Sequence, residues 1–281
     1  MLGKLLKYEF MAEWKKYVII FGGMIFLALS LLILNKGFMS GENYIVQAAS
    51  SLILTAFIML CMFALFIVFV FSTIRFYKNM FRDEGYLMNT LPCTVGQHLA
   101  SKIISTYAWS AATVIVIILS VSIAAGDFTW MSKLSEVFKE MSEELAVEAS
   151  SNAELYAMAE MLRNMFIYMG ISLVLMPVMY QIYLNFCIAV GSLFNTHKIL
   201  MAVVTFVGVN VVSQIISTIG MFILGYAKIM PLLEESIITE YSMVNTFFNN
   251  IYIFSGVLCV ILYGAMLWAT HFIMSKKLNL A

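Results

Sequence analysis

The chain has 281 residues, of which 62% are hydrophobic and only 11% are charged. Its mean hydropathy of +0.93 excludes an ordinary soluble globular protein, because a surface in contact with water needs far more charge. Acidic and basic residues balance at 16 each, so net charge offers no attraction to nucleic acid.

Residues 1–16 form the first predicted element, an amphipathic helix. Leucines and aromatic residues recur at helical spacing with lysines opposite them, which is typical of a helix that lies in the membrane interface. Glu9 and Glu13 project on the same side as Leu2 and Leu6. Either this face docks against protein that supplies partners for both acids, or it faces the cytosol.

Six stretches of the chain contain no Asp, Glu, Lys or Arg, and each is long enough to cross about 30 Å of hydrocarbon as a helix. We therefore predict an all-α, polytopic membrane helix bundle with about six transmembrane helices. Because no ionisable residue lies at mid-membrane depth, the energy for any transport is expected to enter from outside the bilayer. The six stretches are 17–34, 52–74, 103–125, 165–194, 199–227 and 251–274.

The basic residues predict the orientation of these spans. If both termini are inside, eleven basic residues lie on the cytoplasmic side and five outside, which follows the positive-inside rule. We therefore predict a multi-pass protein of the plasma membrane with both termini cytoplasmic. The loop 75–102 then lies in the cytosol, and the segment 126–164 is an extracellular, largely helical segment. Its many acids are either a solvated surface or a lid that attracts cationic cargo.

Motifs for common enzyme chemistry are absent. The chain has no phosphate-binding loop, no dinucleotide fingerprint, no zinc-protease motif and no nucleophile elbow. We predict no catalytic residue, no metal ligand and no cofactor in this chain, which is therefore not expected to be an enzyme. The four cysteines show no metal-binding spacing and are interpreted as small apolar fillers.

Two polar stripes interrupt the predicted spans. One has i, i+4 spacing on the fourth span, and the other has i, i+3, i+4, i+7 spacing on the fifth. In lipid such groups turn toward protein or toward a wet cavity, so they either join helices by hydrogen bonds or line a translocation path. The residues are Gln181, Asn185, Asn210, Ser213, Gln214 and Ser217.

The loop between the second and third spans carries a short acidic and apolar element that ends at a proline. The sequence Thr94-x-x-Gln97 follows it and has the form of a capping box that starts a helix. Such an element is rigid and suits the transmission of a push from a cytosolic partner. Its residues of interest are Asp83, Glu84, Gly85, Tyr86, Leu87, Leu91 and Pro92.

This loop, the opening residues 1–10 and the closing residues 276–280 resemble the permease subunits of ABC exporters of the second type, in their short six-span Gram-positive form. The resemblance covers the whole length. It implies one transmembrane permease domain over 1–281, with an interfacial elbow helix at 1–16. It also implies that the loop residues named above form the coupling region that touches the ATPase.

The same resemblance implies the partners. They are a cytosolic ABC ATPase subunit that holds ATP and Mg, a second permease copy or a paralogue, and membrane lipid, with no nucleic acid. The expected function is outward, ATP-driven movement of a hydrophobic or amphipathic compound, such as a peptide, a drug or a lipid-like molecule. The alternative is a membrane anchor or sensor subunit for peptide or lipid stress, without transport of its own. An intramembrane enzyme is disfavoured by the missing catalytic groups.

Overall fold

The computed structural model of the protein describes residues 2–37, 44–82, 85, 93–129, 132–133, 135–136, 139–140, 153–194, 197–224 and 240–276. These residues are almost entirely helical and include no strand. The six long helices are α1 (Leu2–Gly37), α2 (Tyr44–Phe81), α3 (Val95–Ala125), α4 (Ala153–Gly191), α5 (Lys198–Leu224) and α6 (Glu240–Lys276).

All six helices are long and apolar enough to cross a membrane. This confirms the predicted all-α fold and indicates a multi-pass membrane protein. Several helices extend well beyond the uncharged stretches. At about 1.5 Å per residue, the 39 residues of α4 make about 58 Å, roughly twice the thickness of the hydrocarbon core.

The first helix includes the predicted elbow. Residues 2–16 are helical, as predicted, but they continue without a break into the first span instead of forming a separate helix. Nothing at the junction stops the helix, because residues 11–21 contain neither proline nor glycine. Glu9 and Glu13 are both buried, so this face docks against protein, where Glu9 has ion-pair partners but Oε1 of Glu13 has no hydrogen-bond partner among the described residues.

The contacts group the chain into two compact units, one built from α1–α3 and the other from α4–α6. In the first unit α1 and α3 run parallel, since Glu9 pairs with Lys102 and Tyr17 stacks on Trp109 farther along both helices. Helix α2 runs in the opposite direction and brings Arg75 to Glu9. The expected single domain stays a prediction.

In the second unit α4 and α6 run parallel. Asn164 donates to Asn245 at 3.4 Å, and the rings of Tyr168 and Tyr252 stack at 4.4 Å. Residues 153–164 of the segment predicted to be largely helical are helical and form the start of α4. The other parts of the 126–164 segment lie partly outside the described residues.

Helices α4 and α5 approach each other closely at Gly191, the last residue of α4. A Cβ at this position would lie 2.7 Å from the backbone nitrogen of Ala202 and from the carbonyl oxygen of Lys198. Only glycine permits that approach, because a contact this short with backbone atoms forces the helices apart.

Candidate functional site

The predicted coupling loop is described only at its edges. Gly85 is buried, and its backbone N–H donates to the carbonyl of Arg82 at 2.7 Å. The capping box at the start of α3 is confirmed, because Thr94 and Gln97 each accept a hydrogen bond from the other's backbone N–H at 3.3 Å. The other six predicted coupling residues, Asp83, Glu84, Tyr86, Leu87, Leu91 and Pro92, lie outside the described residues.

A buried ion-pair cluster, formed by Glu9, Arg75 and Lys102, lies where α1 begins, α2 ends and α3 begins. The Arg75 Nε donates to Glu9 Oε2 and the Lys102 Nζ donates to Glu9 Oε1, both at 2.5 Å. The side chains of Glu9 and Lys102 are 5% and 2% exposed, whereas that of Arg75 is 21% exposed. A carboxylate that accepts two charge-assisted bonds away from water is a strong junction between three helices.

The position of this cluster along the chain gives it functional interest. Arg75 belongs to the helix that enters the predicted coupling loop, and Lys102 belongs to the helix that leaves it. Glu9 joins both helices to α1. The two helices that flank the loop are thus both tied to α1 through one carboxylate.

One helical turn beyond the cluster, the facing surfaces carry hydroxyl groups and a second acid. Ser72 on α2 and Thr106 on α3 hydrogen-bond to each other, and Thr106 also donates to the carbonyl of Lys102 at 2.8 Å. Glu13 lies one turn after Glu9 on the same face of α1 and is only 2% exposed. This turn is polar although it is buried.

Aromatic rings cover the polar turn on the side away from the ion-pair cluster. Tyr17 stacks on Trp109 with ring centroids 4.2 Å apart, and the Phe10, Phe21 and Phe71 rings lie around this pair at 5.8 to 6.4 Å. Ring stacking of this kind adds to the stabilisation that comes from burial alone. The polar turn is therefore enclosed between an ionic layer and an aromatic layer.

Several buried polar atoms in this unit have no hydrogen-bond partner within the described residues. Each such atom costs about 1–3 kcal/mol relative to a paired one. Several of these atoms lie in or beside the polar turn, and they have no hydrogen bond to lose if the helices shift. The atoms are Glu13 Oε1, Tyr17 Oη, Thr73 Oγ1, both ring nitrogens of His98, Ser105 Oγ and Trp109 Nε1.

Sequence analysis did not single out Arg75 and Lys102. A signal for them was present, because Glu9 and Glu13 lie four residues apart on an apolar helix face next to an uncharged span. Acids in that position need basic partners. Arg75 and Lys102 are the basic residues that directly border the second and third uncharged stretches.

The first polar stripe is brought together within α4. Gln181 Nε2 donates to Asn185 Oδ1 at 2.9 Å, and the two side chains are 0% and 1% exposed. Gln181 Oε1 and Asn185 Nδ2 have no partner among the residues that the structure describes. The pair therefore keeps one acceptor and one donor available.

The second polar stripe is less uniform. Asn210 donates to the Tyr183 hydroxyl and, at 2.8 Å, to the Phe206 carbonyl, and the Tyr183 hydroxyl donates to that carbonyl at 2.5 Å. These bonds join α4 to α5. Ser213 and Ser217 are partly exposed and Gln214 is exposed, and no hydrogen bond between the two stripes is recorded in the described part of the chain.

A cleft of about 440 Å³ lies between α4 and α6 in the second unit. It begins beside the stacked Tyr168 and Tyr252 and ends beside Tyr180 and Tyr263. Gly256 on α6 leaves room at its centre, since a Cβ there would meet nothing within 4 Å. Sequence analysis did not predict this cleft.

No family model matches the chain, and neither the curated proteins nor the solved structures include a significantly similar one.

Proposed function

We propose that the chain is the transmembrane subunit of an ATP-driven exporter and that it moves an apolar or amphipathic compound outward with a separate cytosolic ATPase. The observation that supports this most is the ion-pair cluster. Glu9 holds the helices on either side of the predicted coupling loop to α1. Movement of the loop would thus reach the spanning helices through the ion pairs of Glu9 with Arg75 and Lys102.

The mechanism that we propose follows the order of these contacts. Closure of the ATPase subunits on ATP moves the loop, and Arg75 and Lys102 carry Glu9 and α1 with them. The spanning helices then switch a path at the interface with a second permease copy from inward to outward access. The poorly satisfied polar turn around Glu13 lies next to the cluster, where rearrangement breaks few hydrogen bonds.

Reconstitution with the candidate ATPase tests this proposal. The two proteins should co-elute in detergent, and the ATPase rate should depend on the permease. Glu84→Lys in the loop should lower assembly or transport, whereas Lys139→Glu, a comparable charge reversal in the outer segment, should not. If the proteins never co-elute and the ATPase rate is indifferent to this chain, the exporter proposal fails. A complex that forms but never moves cargo would favour the sensor alternative.

The proposed orientation has a separate test at Cys93, just before α3. A membrane-impermeant thiol reagent should label this cysteine in inside-out vesicles and not from outside intact cells, because both termini and this loop are proposed to be cytoplasmic. Labelling from outside intact cells would overturn the orientation.

Substitutions in the polar stripes test whether these residues line the translocation path or only join helices. Replacing Gln181, Asn185, Asn210 and Gln214 by leucine should change cargo preference if these residues line the path. If they only stabilise the bundle, stability should fall while cargo preference stays the same, with about 0.6 kcal/mol coming from the interhelical hydrogen bond between Asn210 and Tyr183.

A further inference from the structure

The cleft between α4 and α6 has its opening on the outer surface of two candidate spanning helices. Its α4 edge is formed by Ile171, Leu175 and Met176, which are 51%, 44% and 61% exposed. Such exposed apolar side chains on a candidate spanning helix suit contact with the acyl chains of lipid. Contact of this kind gives a compound dissolved in the bilayer a route to the cleft that does not cross water.

The cleft has the size and lining of a ligand site. Its volume of about 440 Å³ falls within the range of roughly 300–1,000 Å³ that is common for small-molecule sites. Tyrosines stand at both ends, and the thioethers of Met176 and Met179 lie between them. Tyrosine rings and methionine sulfur both interact favourably with aromatic rings.

The polar groups of the cleft set the charge of its occupant. No charged residue lines it, so a cation or an anion would lose its hydration without gaining a counter-ion. Contact with the tyrosine rings offsets only a small part of that loss for a cation. Ser172 and Ser255 do not offer their hydroxyl protons, because each donates to a carbonyl of its own helix, at 2.7 and 3.0 Å. An uncharged ligand is therefore complementary to this lining.

We propose that the α4–α6 cleft binds an uncharged compound with a flat ring system, which enters from the bilayer and lies between the tyrosine pairs. The stacked pair of Tyr168 and Tyr252, with ring planes 18° apart, provides an aromatic end against which such a ring continues the stack. An acyl chain gains only apolar burial there, whereas a ring also gains stacking and sulfur contacts. This inference rests on the proposed function, for which the cleft is an intake site for cargo.

Gly256 provides a direct way to fill the cleft. A Cβ at Gly256 meets nothing within 4 Å, and the same holds for Gly264 two turns later on α6, which does not line the cleft. Gly256→Leu therefore fills the cleft, whereas Gly264→Leu makes the same chemical change outside it. Both substitutions raise helix propensity, so both variants are expected to fold.

The experiment uses the full chain alone in lipid nanodiscs, without an ATPase. Three photoactivatable diazirine probes are compared: a neutral tricyclic aromatic compound, its quaternary ammonium analogue and a palmitoyl ester. The neutral ring probe should label peptides containing 168–180 and 252–263. Gly256→Leu should lower this labelling about tenfold, the effect of 1.4 kcal/mol in binding free energy, and Gly264→Leu should leave it unchanged.

Three results would overturn the proposal: undiminished labelling in Gly256→Leu, equal labelling by the charged analogue, or equal labelling by the palmitoyl probe, which would identify the occupant as a lipid chain. Because no ATPase is present, the labelling result tests only the cleft, and the co-elution result tests only the exporter proposal. A cleft without ring binding leaves the exporter proposal standing, and a chain that binds the ring but never an ATPase refutes the exporter proposal alone.

Discussion

Glu9→Gln is the substitution whose effect the structure specifies most sharply. Glutamine keeps the size of the side chain but removes the charge that Arg75 and Lys102 both contact at 2.5 Å. Because the Arg75 side chain is 21% exposed, it can turn toward water. The loss therefore falls mainly on Lys102, whose side chain is 2% exposed.

Removing one partner of a buried ion pair costs about 3–5 kcal/mol. We expect the lower end of this range, about 3 kcal/mol, because the amide oxygen of glutamine still accepts one hydrogen bond. The double variant Glu9→Gln/Lys102→Met also removes the cation that pairs with Glu9. It should therefore lose less stability than the sum of the two single variants, with a coupling energy of about 2 kcal/mol.

The assay is reversible unfolding in mixed micelles, followed by tryptophan fluorescence. Trp109 is suited to report on this region because its ring stacks on Tyr17 beside the polar turn. The matched control is Asp127→Asn at an exposed ion pair, where the Lys133 and Asp127 side chains are 64% and 40% exposed. That change should cost little stability, because solvent screens an exposed ion pair.

Two results would refute the reasoning. If Glu9→Gln costs no more than Asp127→Asn, the cluster does not hold the three helices together. If the double variant loses the full sum of the single losses, Glu9 and Lys102 act independently and the contact between them contributes nothing.

Three further predictions concern other positions. Glu13→Gln should be neutral or stabilising within about 1 kcal/mol, measured by the same unfolding assay, because Oε1 of this buried acid has no partner among the described residues. Gly191→Ala should destabilise by about 1–3 kcal/mol, since its Cβ meets backbone atoms at 2.7 Å, whereas Gly208→Ala, with open space around its Cβ, should not. The hydrogen bond from Lys133 and those from Thr129 hold the pKa of Asp127 well below its ordinary value of 3.8. The ion pair therefore contributes stability above pH 3.8 and loses this contribution as the pH falls toward the lowered pKa. Lys133→Ala should move the titration of the Asp127 carboxyl group, measured by NMR, back toward 3.8.

Local structure that depends on residues close together in the sequence could be predicted. The capping box at Thr94 and Gln97 needs only residues three apart, and it forms as predicted. The hydrogen bond between Gln181 and Asn185 likewise follows from i, i+4 spacing on one helix. The helix over 153–164 agrees with the prediction that the segment 126–164 is largely helical.

Contacts between residues far apart in the sequence could not be predicted in this way. Glu9 bonds to residues 66 and 93 positions away, and sequence analysis left open whether this acid faces protein or cytosol. The choice depends on α3 running parallel to α1 and on α2 running opposite to both. The apolar patterns of the three helices do not specify that arrangement, because lipid and protein accept the same apolar surface.

The sequence by itself determined the class of this protein. Uncharged stretches of this length form helices in a membrane, because hydrocarbon leaves the backbone no other partner for its hydrogen bonds. Only the tertiary structure decided where the charges and the empty space lie. It joined Glu9 to two cations from other helices, and it placed Gly256 opposite α4 where a missing side chain leaves a cleft. Both features depend on which helix faces which and at what register, and these are set by packing.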